Sequence, residues 1–372
     1  MEALPQETLA RMLSFVDPCQ LLLLQRVSRA WQSIIASASF AEANVSRFAR
    51  TVSRVSAIDR SREEDTGMDC VDLDRVWLAL PPHFQTAYCR ARLHSLERIA
   101  WSKTDFVINW IPPALGCLKT LVHFSASKCN LTGGIPPETG GLVALRTLDL
   151  SFNSLASAIP AELGNLENLE SLHLESNELF GCIPHELFNN LSNLKILCLS
   201  NNQLSGPIPP TIDRLVSLEK LYLCSNQLSQ SIPFEIGSLS EHLMELDLSR
   251  NRLTGHIPAV SVGKLVNLTA LFLNDNDLYG PVPRQLGNLR QLEDLYLGRN
   301  RLVGNLPPSL GSLKNLQVLH LIGNKLTGDL APEFSELSLM ELYVKDNSLR
   351  ISDEFDRNSK MYRLLKEEGV TE

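Results

Sequence analysis

The sequence predicts a curved α/β solenoid with a parallel sheet along its concave face. The first observation is a unit of spacing L-x-x-L-x-L-x-x-N-x-L, seen at residues 145–155. The second is its recurrence, because the last leucine of the unit returns every 23 to 25 residues. The third is an Ile-Pro pair after many units, as at Ile159-Pro160. These last leucines are Leu131, Leu155, Leu179, Leu204, Leu228, Leu253, Leu278, Leu302, Leu326 and Leu349.

This period and spacing predict leucine-rich repeats. In Leu221-Tyr222-Leu223, apolar residues alternate with an aromatic one, which predicts a short strand with the leucines inside and Tyr222 outside. An asparagine recurs where the chain must turn, and its amide can satisfy several backbone groups. Thr104 and Cys129 replace it in the first two units, so we expect the asparagine ladder to begin at Asn153.

One repeat cannot bury enough apolar surface to fold alone, so the repeats must stack, and an open stack needs a cap at each end. We therefore expect four segments. Residues 1–45 form a small three-helix domain, and residues 46–92 form a helical linker and N-terminal cap. Residues 93–350 form about 11 repeats, and residues 351–372 form a C-terminal cap and tail, with a capping helix over 353–368.

The first 45 residues have a different pattern from the repeats. Pro5 suits the first turn of a helix, and Leu9 and Leu13 follow at helical spacing. A second predicted helix contains Leu21–Leu24 and is apolar on every side, so it must be buried on more than one side. So short a segment cannot bury this surface internally, which indicates a partner protein.

This segment resembles an F-box. The resemblance rests on the opening Leu4-Pro5-Gln6-Glu7 and on Val27-Ser28-Arg29 followed by Trp31. It implies docking on a Skp-type adaptor, which joins F-box proteins to a cullin and a RING subunit in an SCF ubiquitin ligase, while the C-terminal domain holds a target. It also implies the adaptor-facing and core positions, which are Leu4, Pro5, Leu9, Leu13, Leu21, Leu22, Val27 and Trp31.

An alternative function remains open. The chain is then a cytosolic leucine-rich-repeat recognition scaffold not linked to ubiquitination, whose N-terminal helices cap the solenoid or bind another partner. The segment 204–209 resembles plant-type receptor ectodomains and polygalacturonase inhibitors more than the longer repeats of familiar F-box proteins. Nothing known about the targets of those F-box proteins therefore transfers to this chain.

The outward side chain between the two strand leucines should line the concave face. Aromatic residues concentrate there in the later repeats, and Arg250 and Arg299 are expected to flank Phe272 and Tyr296. Aromatic residues and arginine dominate interface hot spots. Stacking of the rings along the sheet is the other explanation. The predicted target-binding residues are Tyr222, Arg250, Phe272, Tyr296, Arg299 and Tyr343.

Charge and hydropathy restrict the partners. Residues 1–110 carry 13 basic and 13 acidic side chains and residues 111–372 carry 21 and 29, so the net charge of −8 lies in the repeats. An acidic solenoid argues against nucleic acid as a partner. There is no apolar run of membrane-spanning length and no signal-peptide pattern at the start. We expect a cytoplasmic and/or nuclear protein that does not contact a membrane.

Catalytic and metal-binding patterns are missing from the sequence. His185-Glu186 lacks the second histidine of a zinc protease motif. The eight cysteines form no C-x-x-C pair and none clusters with histidine, which argues against a zinc site. We therefore expect no enzyme activity, no metal site and no cofactor, and we expect reduced thiols.

Overall fold

The computed structural model describes residues 82–101 and 109–371, and these residues form a leucine-rich-repeat solenoid. Eleven short strands pair in parallel, one from each repeat, in chain order. Together they form the concave sheet of the curved solenoid, as the sequence predicts. The strands are β1 Arg98–Ala100, β2 His123–Ser125, β4 Thr147–Asp149, β6 Ser171–His173, β8 Ile196–Cys198, β10 Lys220–Tyr222, β12 Glu245–Asp247, β14 Ala270–Phe272, β16 Asp294–Tyr296, β18 Val318–His320 and β20 Glu341–Tyr343.

A second set of short strands follows the turn of each repeat. These strands form two four-stranded sheets and one two-stranded sheet within the described residues. They are β3 Thr132–Gly133, β5 Ser154–Leu155, β7 Phe180–Cys182, β9 Gln203–Gly206, β11 Gln227–Ser231, β13 Arg252–Thr254, β15 Tyr279–Pro281, β17 Arg301–Gly304, β19 Lys325–Leu330 and β21 Ser348–Ile351.

Short helical turns complete each repeat, most of them directly after a proline. Pro209, with φ −62° and ψ 135°, is still extended and precedes one such turn. Most are 3₁₀ turns, and one is a single α-helical turn, α2 Ala259–Val262. The 3₁₀ turns are Pro113–Cys117, Pro137–Gly141, Ala161–Asn165, His185–Phe188, Pro210–Arg214, Phe234–Leu239, Arg284–Asn288, Pro308–Ser312 and Pro332–Glu336.

Strand register places equivalent residues of successive repeats side by side. Leu221 lies opposite Leu197 and Leu246, and all three are buried in one continuous core. Tyr222 lies opposite Cys198 and Asp247 on the outer face of the same sheet. Each fully buried leucine contributes about 1.5–3 kcal/mol. A position in the sequence unit therefore defines a row across the whole concave sheet.

The asparagine ladder connects each repeat to its neighbours. The Asn226 amide donates to the carbonyl oxygens of Leu199 at 3.0 Å and Leu223 at 3.1 Å. Its side-chain oxygen accepts from the backbone N–H of Leu204 at 3.0 Å. The ladder begins at Asn153, as the sequence predicts, and in the preceding repeat the Cys129 thiol donates to the carbonyl of Trp101 instead.

The residue before each ladder position has a left-handed backbone. Its φ is 57° at Ser176, 54° at Ser225 and 68° at Gly323, so the turn recurs with little variation. A second left-handed position lies after the ladder, where Gly206 has φ 78°. Glycine adopts this conformation without the steric cost that a Cβ imposes.

Both ends of the core are covered. At the first described repeat, α1 Pro82–Tyr88 and the π-helical turn Cys89–Leu93 pack against the Pro113–Cys117 turn, with Phe84 fully buried. At the other end, α3 Lys360–Glu367 packs against the Pro332–Glu336 turn and buries Met361 and Leu365.

The C-terminal capping helix is shorter than predicted. Residues 353–368 were expected to be helical, but α3 begins at Lys360. Asp356 Oδ1 accepts from the Asn358 N–H at 2.9 Å, which holds the preceding segment in a turn. Ser359 is the N-cap and accepts from the Tyr362 N–H at 3.1 Å.

Within the part of the chain that the structure describes, no helix is both long and apolar enough to span a membrane.

We predict that Asn226→Ala lowers the free energy of unfolding by about 2–3 kcal/mol, because backbone groups in two repeats lose their partner inside the protein. Asn168→Ala is the matched control, since that amide is exposed and donates once, to Val143 O at 2.9 Å. The control should change stability by less than about 0.5 kcal/mol. Urea denaturation of both variants measures the difference, and equal losses would contradict this role of the ladder.

Candidate target-binding surface

The concave sheet presents one outward side chain per repeat at the predicted position. Strand pairing confirms that these residues are adjacent in space. Most of them are half-buried, so they are packed at the base and open at the top. From β2 to β20 the row is Ser125, Asp149, His173, Cys198, Tyr222, Asp247, Phe272, Tyr296, His320 and Tyr343.

Four rings at the end of this row are in contact, and we call Phe272, Tyr296, His320 and Tyr343 the aromatic row. The ring centroids of Phe272 and Tyr296 are 4.9 Å apart, and those of Tyr296 and His320 are 5.4 Å apart and nearly parallel, at 15°. The His320 and Tyr343 centroids are 5.2 Å apart. Each such pair stabilises its arrangement by about 0.5–1.5 kcal/mol. Four successive strands therefore carry one ordered aromatic surface.

His320 completes the aromatic row but was not among the predicted binding residues. His320 occupies the same repeat position as Tyr296, and this position could have identified it from the sequence. The imidazole lies over Gly298, where any Cβ would overlap the ring. Nδ1 is buried and has no hydrogen-bond partner. Burial is the main reason that the pKa of His320 is below its usual value, so the ring is neutral at pH 7.

Tyr222 lies apart from the aromatic row. Strand β12 separates it from Phe272, and Asp247 fills the position between them. The Tyr222 hydroxyl donates to Glu245, which also pairs with Lys220 Nζ at 2.6 Å. Burial, followed by the bond to Glu245, raises the pKa of Tyr222. The predicted surface is thus divided into a polar network around Tyr222 and an aromatic row.

The two predicted arginines are turn residues. Arg250 and Arg299 are the left-handed residues before the ladder asparagines, with φ of 53° and 52°. Arg299 pairs with Asp275 at 3.4 Å, and Arg250 is exposed. Among residues 109–371, the cation–π contacts join other pairs, and neither arginine stacks on Phe272 or Tyr296. The arginines therefore border the concave sheet, and their role in binding stays a prediction.

Carboxylates line the aromatic row on the side where the strands begin. Asp294 and Glu341 occupy equivalent positions on β16 and β20, two residues before Tyr296 and Tyr343. Burial and the neighbouring Glu293 and Glu341 raise the pKa of Asp294. Within the described residues, neither Asp294 nor Glu341 forms an ion pair with lysine or arginine. This edge of the surface therefore carries negative charge without a basic partner.

The first half of the row contains a cluster that the sequence analysis missed. His173 and Cys198 are register partners on β6 and β8, and Glu175 follows β6. Their ligand atoms all lie within 4.8 Å of one another. The expectation that no cysteine clusters with histidine is wrong, because the fold turns 25 residues of sequence into one strand spacing. Repeat position was the signal that could have revealed it.

The eight predicted adaptor-binding residues, from Leu4 to Trp31, lie outside the described residues, as do Thr104 and Phe106 of the first repeat. The predicted adaptor roles therefore depend on comparison with known families.

Comparison with protein families covers both parts of the chain. Residues 1–40 match the F-box-like family. Residues 180–228 and 241–302 match a leucine-rich-repeat family, and residues 144–166, 168–190 and 315–337 match a second one. The chain carries an F-box-like domain followed by leucine-rich repeats. This confirms the resemblance drawn from Leu4-Pro5 and Trp31.

Solved structures resemble the repeats of this F-box-like chain. One is the LRR ectodomain of the plant membrane receptor kinase GASSHO1/SCHENGEN3 from Arabidopsis thaliana, in complex with a CASPARIAN STRIP INTEGRITY FACTOR. It is 37% identical to this chain with a TM-score of 0.68, and the match covers 78% of this chain and 35% of the receptor chain. The Arabidopsis receptor kinase HAESA, in complex with the peptide hormone IDA and a co-receptor, is 32% identical with a TM-score of 0.58, covering 66% and 45%. A plant ice-binding protein is 27% identical with a TM-score of 0.50, covering 74% and 79%.

These relatives share an architecture and differ in what they bind. The chain spans about a third to a half of the length of the two receptor structures. Comparison with curated proteins returned no match. Because one fold carries unrelated functions, the function of this chain must be argued from its own residues and its domain combination.

We predict that Gly298→Ala lowers the free energy of unfolding by about 1–3 kcal/mol, because the new methyl group overlaps the His320 ring. In a His320→Ala background the same substitution should cost much less, since the ring is gone. A double-mutant cycle by chemical denaturation measures this coupling. Equal costs in both backgrounds would show that the ring does not rest on Gly298.

The lowered pKa of His320 predicts that the stability of the protein depends on pH. Because its folded-state pKa is lowered, the unfolded chain binds the proton more readily. The contribution of His320 to stability is therefore present above pH ~6.5 and is lost as the pH falls through the folded-state pKa. Between pH 7.5 and 5, the wild type should lose more stability than His320→Phe, as measured by urea denaturation. Parallel pH profiles would contradict the assignment.

Proposed function

We propose that this protein is the substrate-recognition subunit of an SCF-type ubiquitin ligase. The F-box-like domain would bind a Skp-type adaptor and, through it, a cullin–RING complex. The solenoid would hold the target protein on its concave face. The observation that carries this proposal is the match of residues 1–40 to the F-box-like family in the same chain as a long repeat array. An F-box joined to a recognition domain suits a protein that couples a target to a ligase.

In this proposal the chain has no catalytic role of its own. F-box-like and leucine-rich-repeat domains typically bind other proteins, and the ubiquitin-transferring groups would belong to the other subunits. The protein would act where the ligase acts, in the cytoplasm and/or the nucleus.

The target surface in this proposal centres on the aromatic row. Phe272, Tyr296 and Tyr343 were predicted from the sequence, and His320 joins them in the structure. Ordered aromatic side chains offer large contact area with little loss of conformational freedom on binding, which favours them at hot spots. Tyr222, Arg250 and Arg299 would contact the target around this centre.

The charge beside the aromatic row indicates the kind of target segment that fits. Asp294 and Glu341 have no basic partner among the described residues, and burial together with nearby carboxylates raises the pKa of Asp294. A lysine or arginine of the target would relieve this repulsion. We therefore favour a target segment that combines basic and apolar side chains.

The adaptor step is tested with a purified Skp-type adaptor. We predict that the intact chain co-purifies with it and that Leu13→Asp combined with Trp31→Ala abolishes binding, because each anchor that the adaptor covers would contribute about 1.5–3 kcal/mol. The matched control is Val216→Asp with Trp110→Ala, which replaces an aliphatic residue by Asp and a Trp by Ala at exposed solenoid positions. The control should bind like the wild type. Circular dichroism verifies that each solenoid is folded.

Failure of the intact chain to bind the adaptor would contradict the ligase proposal. The alternative, a recognition scaffold not linked to ubiquitination, would then explain the domain combination better. Loss of binding in the control as well would show that the effect is not specific to the predicted anchors.

A further inference from the structure

The His173, Glu175 and Cys198 side chains converge on one point of the concave sheet. The imidazole nitrogens, carboxylate oxygens and thiol sulfur that these residues offer lie within 4.8 Å of one another. His173 and Cys198 occupy the outward row of adjacent strands, and Glu175 lies two residues after His173. Strand pairing therefore holds His173 and Cys198 side by side, and the turn after β6 brings Glu175 to the same point.

One buried carboxylate oxygen of the cluster accepts no hydrogen bond. Glu175 Oε2 is buried and makes no hydrogen bond. His173 Nδ1 lies 3.7 Å from this oxygen, which is within ion-pair distance when the ring is protonated but too long for a hydrogen bond. A buried carboxylate oxygen that accepts no hydrogen bond is costly, and such groups in folded proteins call for an explanation. A bound cation would satisfy it.

We propose that His173, Glu175 and Cys198 bind a zinc ion. Imidazole nitrogen, carboxylate oxygen and thiolate sulfur are the three donor types that zinc accepts in proteins. The thiolate and the imidazole argue against calcium and magnesium, which prefer oxygen ligands. Three protein ligands leave the fourth tetrahedral position open on the outward side of the sheet. Water or a donor side chain of a bound protein would fill it.

The geometry requires only a small adjustment. Zinc bonds of about 2.0–2.3 Å place tetrahedral ligand atoms roughly 3.5 Å apart. The present separations are no longer than 4.8 Å, so side-chain movements of about 1 Å or less would close the site. His173 and Glu175 are half-buried, while Cys198 is buried.

The neighbouring groups are compatible with this site. Zinc binds cysteine as the thiolate, so the Cys198 thiol must lose its proton when the ion binds. Binding would convert Cys–S–H to Cys–S–Zn and release that proton to solvent. The Cys224 thiol, one repeat further, donates to Ser200 Oγ at 3.1 Å and is not needed as a ligand.

The test uses the full chain without a histidine tag, titrated with zinc chloride against a chromophoric chelator. We expect one zinc ion to bind at this site. Cys198→Ser and His173→Gln should each weaken the zinc affinity by about 100-fold or more, because loss of a residue that only hydrogen-bonds to a metal ligand already lowers metal affinity by about 10–100-fold. Cys182→Ser and His185→Gln are matched controls, since both residues are exposed and belong to no such cluster. Both controls should retain wild-type affinity.

Cobalt binding gives an independent signal. Co²⁺ at this site should show a thiolate-to-metal charge-transfer band that disappears in Cys198→Ser. Circular dichroism of the metal-free variants verifies folding, and Glu175→Gln, which keeps the size of the side chain, replaces any variant that unfolds. Absence of zinc binding, or unchanged affinity in Cys198→Ser and His173→Gln, would overturn the proposal.

Discussion

The hydrogen bonds of the asparagine ladder hold this solenoid in register. Each ladder amide donates to carbonyls of its own repeat and the one before, and its oxygen accepts from the preceding repeat, as Asn226 does with Leu199 and Leu204. Side chains of one repeat position are thereby aligned across the whole sheet. Small shifts between strands would separate the aromatic rings, and they would also separate the side chains of His173, Glu175 and Cys198. The surface chemistry therefore depends on the turn, even though the turn residues are not on that surface.

The sequence predicts features that depend on the repeat period. Leucine spacing indicated the strands, and the asparagine positions indicated the ladder and its start at Asn153. Features that depend on side-chain conformation or local caps were missed. The start of α3 at Lys360 depends on a turn at Asp356 and a cap at Ser359. The place of His320 in the aromatic row depends on the space above Gly298, which has no side chain. Arg250 and Arg299 are turn residues with a left-handed backbone, and the repeat pattern did not indicate this.

The concave face has two chemically different halves. The early strands carry His173, Glu175 and Cys198, which we propose to bind zinc, and the later strands carry the aromatic row with its carboxylate edge. Tyr222 and Asp247 lie between the halves. In the ligase proposal, a target that spans both halves would be recognised by metal coordination at one end and by aromatic and electrostatic contacts at the other.

The most direct test of the central claim compares ubiquitin-modified proteins in cells that express the wild type, the Leu13→Asp/Trp31→Ala variant or a Phe272→Ala/Tyr296→Ala variant. Our account predicts a set of proteins whose modification is lost with both variants, while the concave-face variant still binds the adaptor. Hot-spot losses of at least about 2 kcal/mol per ring would make the effect large. Modification unaffected by the concave-face variant, or lost with non-overlapping sets of proteins, would contradict the account.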